Sequence, residues 1–198
     1  VDISMTVPPQ VSLDIRAEES NINVTGLDGD AKLDTAVGDI ELDDMGGKLT
    51  LTATDGRIVG GDLMSRNVTS VSKAGQISLE FVGGADNVDV TSETGDVKLT
   101  VPPMSYRIDA GSPGGKVDID ALASDTAAKQ LKVRSARGDI SIAPQLAVAH
   151  EPADYKIGWT VKYGDEPISL TFDKVIEDSR CPKDVECVWA GRFIAGMT

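Results

Sequence analysis

A five-residue pattern recurs along the chain and constrains the fold more than any other feature. Its clearest copy is Gly38–Leu42, with the sequence GDIEL. Successive copies begin 18, 18, 19, 20, 20 and 23 residues apart. A period near 20 that contains short strands is typical of a solenoid, because each turn buries its apolar edge only by stacking on a neighbour. The copies begin at Ser20, Gly38, Gly56, Gly75, Gly95, Gly115 and Gly138.

The repeat can be tested position by position, because stacked turns must present similar residues at equivalent places. Counting from the first residue of each copy, positions −7, −5, +2 and +4 are apolar in nearly every copy. The two-residue spacing places both apolar side chains of a strand on one face. A third apolar column is predicted at +7. The +2 column contains Ile22, Ile40, Ile58, Ile77, Val97, Val117 and Ile140, and the +7 column contains Leu27, Met45, Leu63, Val82, Pro102 and Leu122.

Two further columns define the corners of each turn. Position −3 is small throughout, and six of the seven copies begin with glycine, as expected where a turn needs positive φ or close backbone approach. Ser70 and Gly60 are the two weak points of the apolar columns. The widest interval contains Ala121–Gln130, which we expect to form a loop or helical turn. We expect the seven turns, or rungs, to stack in chain order.

The pattern divides the chain into four parts. Residues 11–145 form the predicted solenoid, 146–154 a linker, and 155–198 a small β domain rich in aromatic residues. Residues 1–10 contain the alternating stretch VDISMTV, followed by two prolines. This stretch is either a cap on the first rung or a strand that adds to another subunit. Its candidate assembly residues are Val1, Ile3, Met5 and Val7.

The overall charge narrows the classes of partner. The formal net charge is −13, from 32 acidic and 19 basic residues, which disfavours nucleic acid and anionic membrane surfaces. No apolar run approaches the roughly 18 residues that a membrane-spanning helix needs. The chain begins at Val1, as a processed product would, and this agrees with export.

The acidic residues offer weak candidates for chemistry. Asp39, Asp96 and Asp139 share a column, but stacking in chain order would place them three and two rungs apart. At about 4.8 Å per rung these gaps exceed the roughly 5 to 9.5 Å used in paired-carboxylate glycoside hydrolysis. Asp89 and Asp109 would be direct neighbours, able to bind a cation or simply repel each other. Calcium at the corners is a further possibility, involving Asp28, Asp30, Asp43, Asp44 and Asp62.

The remaining reactive residues lie near or beyond the end of the repeat. His150, the only histidine, lies in the proline-flanked linker, where a rigid catalytic pairing is not favoured. Cys181 and Cys187 are too few to complete a structural zinc site. A disulfide that closes a short loop is the economical interpretation for an exported protein.

The recurring GD[IV]x[LI] copies at Gly38, Gly95 and Gly138 resemble the bacterial adhesin-type β-solenoid families that are DUF4097-like. The resemblance covers about two thirds of the chain and implies the fold, with no catalytic residues to transfer. Separately, DSRCP at Asp178–Pro182 and CVWAG at Cys187–Gly191 resemble a motif of small bacterial exported or lipoprotein domains. That resemblance implies that Cys181 and Cys187 are paired and that the protein lies in the cell envelope.

These observations predict an all-β protein with a β-solenoid of about seven rungs and a small C-terminal β domain. We expect a non-enzymatic, exported or cell-surface module with a structural or adhesive role, without cofactors or a resident metal. Its partners would be copies of itself or extracellular components. The alternatives are a subunit of a self-assembling filament and, less in keeping with the columns, a carbohydrate-active enzyme.

Overall fold

The computed structural model describes residues 5–145, 160–162, 169–178 and 193–197. Every regular element among these residues is a β-strand, which confirms the predicted all-β class. The chain divides into two compact units, Val1–Leu146 and Ala147–Thr198.

The first unit contains 14 strands, which alternate between two sheets. In chain order they are β1 (Leu13–Glu19), β2 (Ile22–Leu27), β3 (Ala31–Val37), β4 (Ile40–Met45), β5 (Leu49–Asp55), β6 (Ile58–Leu63), β7 (Asn67–Ala74), β8 (Ile77–Phe81), β9 (Asn87–Ser92), β10 (Val97–Val101), β11 (Arg107–Gly111), β12 (Val117–Ile119), β13 (Gln130–Ser135) and β14 (Ile140–Pro144).

The two sheets are parallel and contain seven strands each. Odd-numbered strands form sheet A and even-numbered strands form sheet B. An odd strand and the even strand that follows it make one rung, so that β1 and β2 form rung 1 and β13 and β14 form rung 7. Equivalent residues pair between rungs, as when Ile40 pairs with Ile22 on one side and Ile58 on the other. The seven-rung solenoid and its column register are therefore confirmed.

The order of the last two rungs differs from the prediction. Sheet A runs β1-β3-β5-β7-β9-β13-β11, and sheet B matches it with β14 between β10 and β12. Rung 7 therefore lies between rungs 5 and 6, and rung 6 is terminal. After β10 the chain forms rung 6 two positions beyond rung 5 in the stack. It then returns through residues 120–129 and places rung 7 between rungs 5 and 6. This return explains the 23-residue interval, and residues 121–129 form a loop without a helix.

The core lies between the two sheets and is lined by the predicted columns. Ile40, Ile58 and Ile77 of the +2 column are fully buried. The two terminal rungs are less well covered: Val117 and Ile119 of rung 6 are 41% and 40% exposed, and Leu13 and Ile15 of rung 1 are only partly buried. A terminal rung has a neighbour on one side only, so its inward side chains are covered on one side only.

The third apolar column holds in rungs 1 to 3, and in the later rungs a buried residue lies one position earlier. In rung 5 the predicted Pro102 is nevertheless buried, next to the buried Val101. Leu27, Met45 and Leu63 are buried as predicted. In rung 4, however, Phe81 pairs with Leu63 and is buried, whereas the predicted Val82 is 40% exposed. Likewise, Leu122 is 58% exposed, and Ala121 before it is buried.

The cause of this shift is an extra residue in each of the first three rungs. Gly26, Asp44 and Asp62 occupy equivalent positions, and all three have positive φ, at 71°, 53° and 48°. This left-handed residue forms a local bulge before the apolar side chain. Later rungs lack the bulge, so their apolar residue comes one position earlier.

The glycines that begin the copies form a continuous stack at one corner. A Cβ atom at Gly75 would overlap the carbonyl oxygen of Gly56, and one at Gly95 would overlap that of Gly75. Gly75 also has a φ of 137°, which favours glycine. The stack continues from Gly95 to Gly138 and then to Gly115, which reproduces the exchanged order of rungs 6 and 7.

Ser70 interrupts an apolar column, and its buried hydroxyl has no hydrogen-bond partner among the residues that the structure describes. We expect Ser70→Ala to raise the free energy of unfolding by about 1 kcal/mol, because it removes an unsatisfied polar group. Ser65 is the matched control, since its buried hydroxyl donates to the Met45 carbonyl at 3.0 Å. Ser65→Ala should lower stability by about 1 kcal/mol. Equal losses from both substitutions in urea unfolding would contradict this interpretation.

The segment before rung 1 packs against its own solenoid. The Pro9 carbonyl accepts hydrogen bonds from Asp28 N–H at 2.7 Å and Gly29 N–H at 3.0 Å. Val7 and Val11 are partly buried against the core. Residues 5–7 have irregular backbone, so the predicted strand does not extend through them.

The second unit contains a three-stranded antiparallel sheet in the order β15-β16-β17. Its strands are β15 (Thr160–Lys162), β16 (Ser169–Asp178) and β17 (Phe193–Met197). The sequence pattern predicts strands at Tyr155–Lys162, Ile168–Phe172 and Cys187–Ile194. The three observed strands overlap these ranges, although β16 extends to Asp178. The register between β16 and β17 shifts twice.

Candidate functional site

The outward column at +1 is of mixed charge, which favours a simple solvated surface. In the structure, however, several of its side chains are bonded from rung to rung. The Asn21 Oδ1 atom accepts a hydrogen bond from Asp39 N–H at 2.8 Å, and Asp39 Oδ1 accepts one from Arg57 N–H at 2.7 Å. A second series of such hydrogen bonds continues further along the stack. Asp96 Oδ1 accepts one from Asp139 N–H at 2.8 Å, and Asp139 Oδ1 accepts one from Lys116 N–H at 2.7 Å. These Asn and Asp side chains supply acceptors to the corner N–H groups of the next rung.

The exchanged rung order corrects the spacing predicted for Asp96 and Asp139. They lie on adjacent rungs, because β10 pairs directly with β14, and so are not two rungs apart. Their separation along the stack is about 4.8 Å, so distance alone does not exclude an acid/base pair. Each carboxylate, however, accepts a hydrogen bond from the backbone of the next rung, and both residues are exposed.

The same exchange corrects the predicted contact between Asp89 and Asp109. β13 lies between their strands, and its basic residues pair with both carboxylates. The Lys132 ammonium lies 3.1 Å from Asp89 Oδ2, and Arg134 donates to Asp109 Oδ2. This hydrogen bond to Arg134 lowers the pKa of Asp109. The two acids are thus members of an alternating charge ladder.

Asp39 makes the strongest set of contacts in the outward columns. Besides the backbone bond, its Oδ2 atom accepts hydrogen bonds from Arg57 Nη2 at 2.7 Å and Nε at 3.2 Å. The side-chain bond to Arg57, followed by the backbone bond, lowers the pKa of Asp39 below its usual value. The ionised form is therefore favoured in the folded protein.

The lowered pKa of Asp39 can be tested by measuring the stability of the fold at acidic pH. A carboxyl group with a depressed folded-state pKa stabilises the fold above its unfolded pKa of about 3.9, and this stabilisation is lost as the pH falls through the folded-state value. Asp39→Asn keeps the Oδ1 acceptor but removes the charge. We therefore expect the wild-type urea midpoint to fall more than the variant's between neutral pH and acid. Equal falls would show that the Arg57 contact does not stabilise the fold.

A polar groove with a volume of about 450 Å³ lies on the outer surface of sheet A. It spans rungs 3, 4, 5 and 7, and it depends on the exchanged order because β13 contributes one of its walls. The groove could not be predicted from the sequence, since its walls combine columns whose order differs from the predicted chain order. Its polar lining includes Lys48, Asn67, Asn87, Asp89, Gln130 and Lys132.

The aromatic residues of the solenoid are both in the core. Phe81 and Tyr106 are fully buried, and the Tyr106 hydroxyl has no hydrogen-bond partner in the described part of the chain. Burial, together with the charge of Asp86, raises the pKa of Tyr106. This tyrosine is therefore a neutral core residue.

The other predicted site residues can be placed only in part. Met5 is 68% exposed and Val7 is partly buried, whereas Val1 and Ile3 lie outside the described residues. His150, Cys181 and Cys187 also lie outside them, so the disulfide stays a prediction. Within residues 5–145 and the three described strands of the second unit, no three His, Cys, Asp or Glu side chains are grouped to hold a metal.

Three of the acids predicted at the corners, Asp30, Asp44 and Asp62, have structural roles. Asp30 Oδ1 accepts a hydrogen bond from Lys48 N–H at 2.9 Å, as the acids of the +1 column do. Asp44 and Asp62 are the positive-φ residues of the bulges.

In the part of the chain that the structure describes, no helix is long and apolar enough to cross a membrane.

Comparison with known proteins identifies the family through the solenoid. The family described as Toastrack DUF4097 matches residues 2–143, a span that contains all seven rungs except Pro144, the last residue of β14. No curated protein and no solved structure matches the chain significantly. With 142 of its 198 residues in the match, the chain belongs to the Toastrack DUF4097 family.

Proposed function

We propose that the chain is an exported, non-enzymatic structural module that adheres to cell-surface or extracellular components. The observation that carries this proposal is the continuity of both sheets through seven rungs, reinforced by side chains bonded between rungs. Such a stack is held by neighbour contacts along its length and presents long, regular surfaces. A scaffold needs this geometry, whereas catalysis needs acids that converge on a substrate.

Adhesion can be tested by co-sedimentation of the purified chain with isolated bacterial envelopes and, separately, with extracellular matrix. We expect saturable binding to at least one of these surfaces. Sedimentation of the chain without the surface, and of an unrelated acidic protein with it, controls for non-specific sticking. Absence of saturable binding by the folded chain to either surface would contradict an adhesive role.

The rival activity, polysaccharide cleavage, would centre on Asp96 and Asp139, since these acids lie on adjacent rungs. Their hydrogen bonds to backbone N–H groups support a structural role instead. Asp96→Asn with Asp139→Asn preserves the Oδ1 acceptors but abolishes acid chemistry. We expect no release of reducing ends from a polysaccharide panel by the wild type. Release that disappears in the double variant would establish an enzyme.

Export can be tested through the cysteines. We propose that Cys181 and Cys187 are joined in the native protein, as an oxidising compartment would allow. Alkylation without reductant, followed by mass spectrometry, should label neither cysteine. Labelling of both in protein isolated from its natural compartment would contradict export.

A filament subunit is the second candidate, and the terminal rung favours it. Among the described residues, no strand pairs with the outer edges of β11 and β12, and Val117 and Ile119 are half-exposed at this end. An unpaired strand edge can accept a strand from another chain. The donor would be residues 1–7, whose alternation fits strand addition.

Electron microscopy can test this assembly. We expect linear polymers from the wild type and monomers after removal of residues 1–7. Ile119→Lys should also prevent polymers, because a lysine at the edge opposes strand addition. Wild-type protein that stays monomeric at high concentration would reject the filament and leave the single-chain adhesive module.

A further inference from the structure

The polar groove on sheet A combines side chains from rungs that are distant in the chain. Lys48 comes from the turn before β5, Asn67 from β7, Asn87 from β9, and Gln130 from β13. These four residues occupy equivalent positions in their rungs, one rung apart, because β13 pairs with β9 in register. The groove is therefore a built column of polar groups about 4.8 Å apart.

The groove offers hydrogen-bond donors and acceptors together. Asn87 Nδ2 donates to Asn67 Oδ1 at 3.1 Å, which leaves the Asn87 oxygen and the Asn67 amino group available. A second column beside it contains Thr69, Asp89 and Lys132. The apolar residues of the wall, Val68 and Val88, are buried. This composition suits a ligand rich in hydroxyl groups and does not suit an apolar one.

The charges of the groove indicate an acidic ligand. Its lining contains Lys48, Lys132 and Asp89, and Asp89 pairs with Lys132. No carboxylate of the described residues lies within salt-bridge distance of the Lys48 ammonium, and Lys48 is exposed. Asp30, one rung away in the same column, is bonded to the backbone N–H of Lys48. At physiological salt, screening over about 8 Å makes this local cation more important than remote acids of the chain.

We propose that the groove binds an oligosaccharide that contains uronic acid residues. Lys48 binds a carboxylate, and the Asn67, Asn87 and Gln130 amides bind hydroxyl groups of successive sugars. A single cation without an acidic partner is too little for a nucleic acid, whose affinity depends on several phosphate contacts. This proposal rests on the adhesive function above and names the class of ligand.

The test is isothermal titration of the full chain with hexagalacturonate and, as the neutral comparison, cellohexaose. We expect hexagalacturonate to bind at least about tenfold more tightly than cellohexaose, a difference of about 1.4 kcal/mol. Lys48→Gln should weaken hexagalacturonate binding by about tenfold or more. Lys98→Gln is the matched control, because Lys98 is exposed on β10 of sheet B, and it should leave binding unchanged. Thermal melts confirm that both variants are folded.

Equal binding of the two sugars, no binding of hexagalacturonate, or equal losses in the two lysine variants would overturn the proposal. The envelope and matrix sedimentation assay separates this failure from that of the adhesive function. If the wild type and Lys48→Gln adhere equally to those surfaces while hexagalacturonate does not bind, the acidic-saccharide site is rejected and adhesion stands.

Discussion

Gly75→Ala should lower the free energy of unfolding by more than about 3 kcal/mol. The added Cβ would overlap the Gly56 carbonyl oxygen, and the φ of 137° is strained for any residue with a Cβ. The neighbouring rung cannot move away without breaking the stack on its other side. Folded proteins are stable by only about 5 to 15 kcal/mol, so the loss should be plain in urea unfolding of the purified variant.

Gly83→Ala is the matched control for this glycine. A Cβ at Gly83 would meet only the Met64 Cγ atom, at 3.9 Å, which is ordinary contact. We expect a change within about 0.5 kcal/mol. Similar losses at Gly75 and Gly83 would mean that the corner stack is not as tightly packed as described.

Ile77→Ala should lower the free energy of unfolding by about 2 to 5 kcal/mol. Ile77 is fully buried in the middle of the +2 column, where it pairs with Ile58 on one side and Val97 on the other. Truncation leaves a cavity between two rungs that are held apart by their own neighbours. Urea unfolding monitored by circular dichroism measures the loss.

Val59→Ala provides the comparison for the core position. Val59 lies on β6 next to Ile58, but its side chain points outward and is 37% exposed. We expect a loss within about 0.5 kcal/mol. A loss at Val59 as large as that at Ile77 would contradict the inward and outward assignment of the strands.

The solenoid could be predicted from the sequence because its constraints are local and repeated. Glycine at the corner is required by backbone overlap, as at Gly56 and Gly75. The isoleucines at +2 are required by burial from both neighbouring rungs. Each rung repeats the same two requirements, so agreement among the seven copies is enough to predict the strand register from the sequence.

The rung order could not be predicted in the same way, because the columns do not distinguish rung 6 from rung 7. Ile108 and Leu131 are equivalent, as are Val117 and Ile140, so either rung could stack on rung 5. The long interval after Gly115 is the available signal, but a loop or helical turn at Ala121–Gln130 accounts for it equally well without any exchange of rungs. The exchange places β13 against β9, and the corrected Asp89 contact and the groove on sheet A both follow from that placement.

The hydrogen bonds between rungs in the outward column at +1 could not be predicted from the sequence for a different reason. Asp39 and Asp96 are exposed acids in a column of mixed charge, which resembles an ordinary solvated surface. Their function depends on the N–H groups of the next rung, whose direction is set by the corner geometry. The recurrence of Asn or Asp directly after the corner residue, as in Asn21, Asp39, Asp96 and Asp139, was the signal that could have revealed the ladder.

Disulfide trapping measures the rung order directly. In a Cys181→Ser, Cys187→Ser background, one variant would carry Asp89→Cys with Lys132→Cys, and the other Asp89→Cys with Asp109→Cys. Adjacent parallel strands lie about 4.8 Å apart and strands two rungs apart about 9.6 Å, whereas a disulfide needs a Cα separation of about 4.4 to 6.8 Å. With rung 7 between rungs 5 and 6, mild oxidation should cross-link the 89–132 pair in the folded monomer and leave the 89–109 pair as thiols. Rapid cross-linking of the 89–109 pair without the 89–132 pair would show that the rungs stack in chain order.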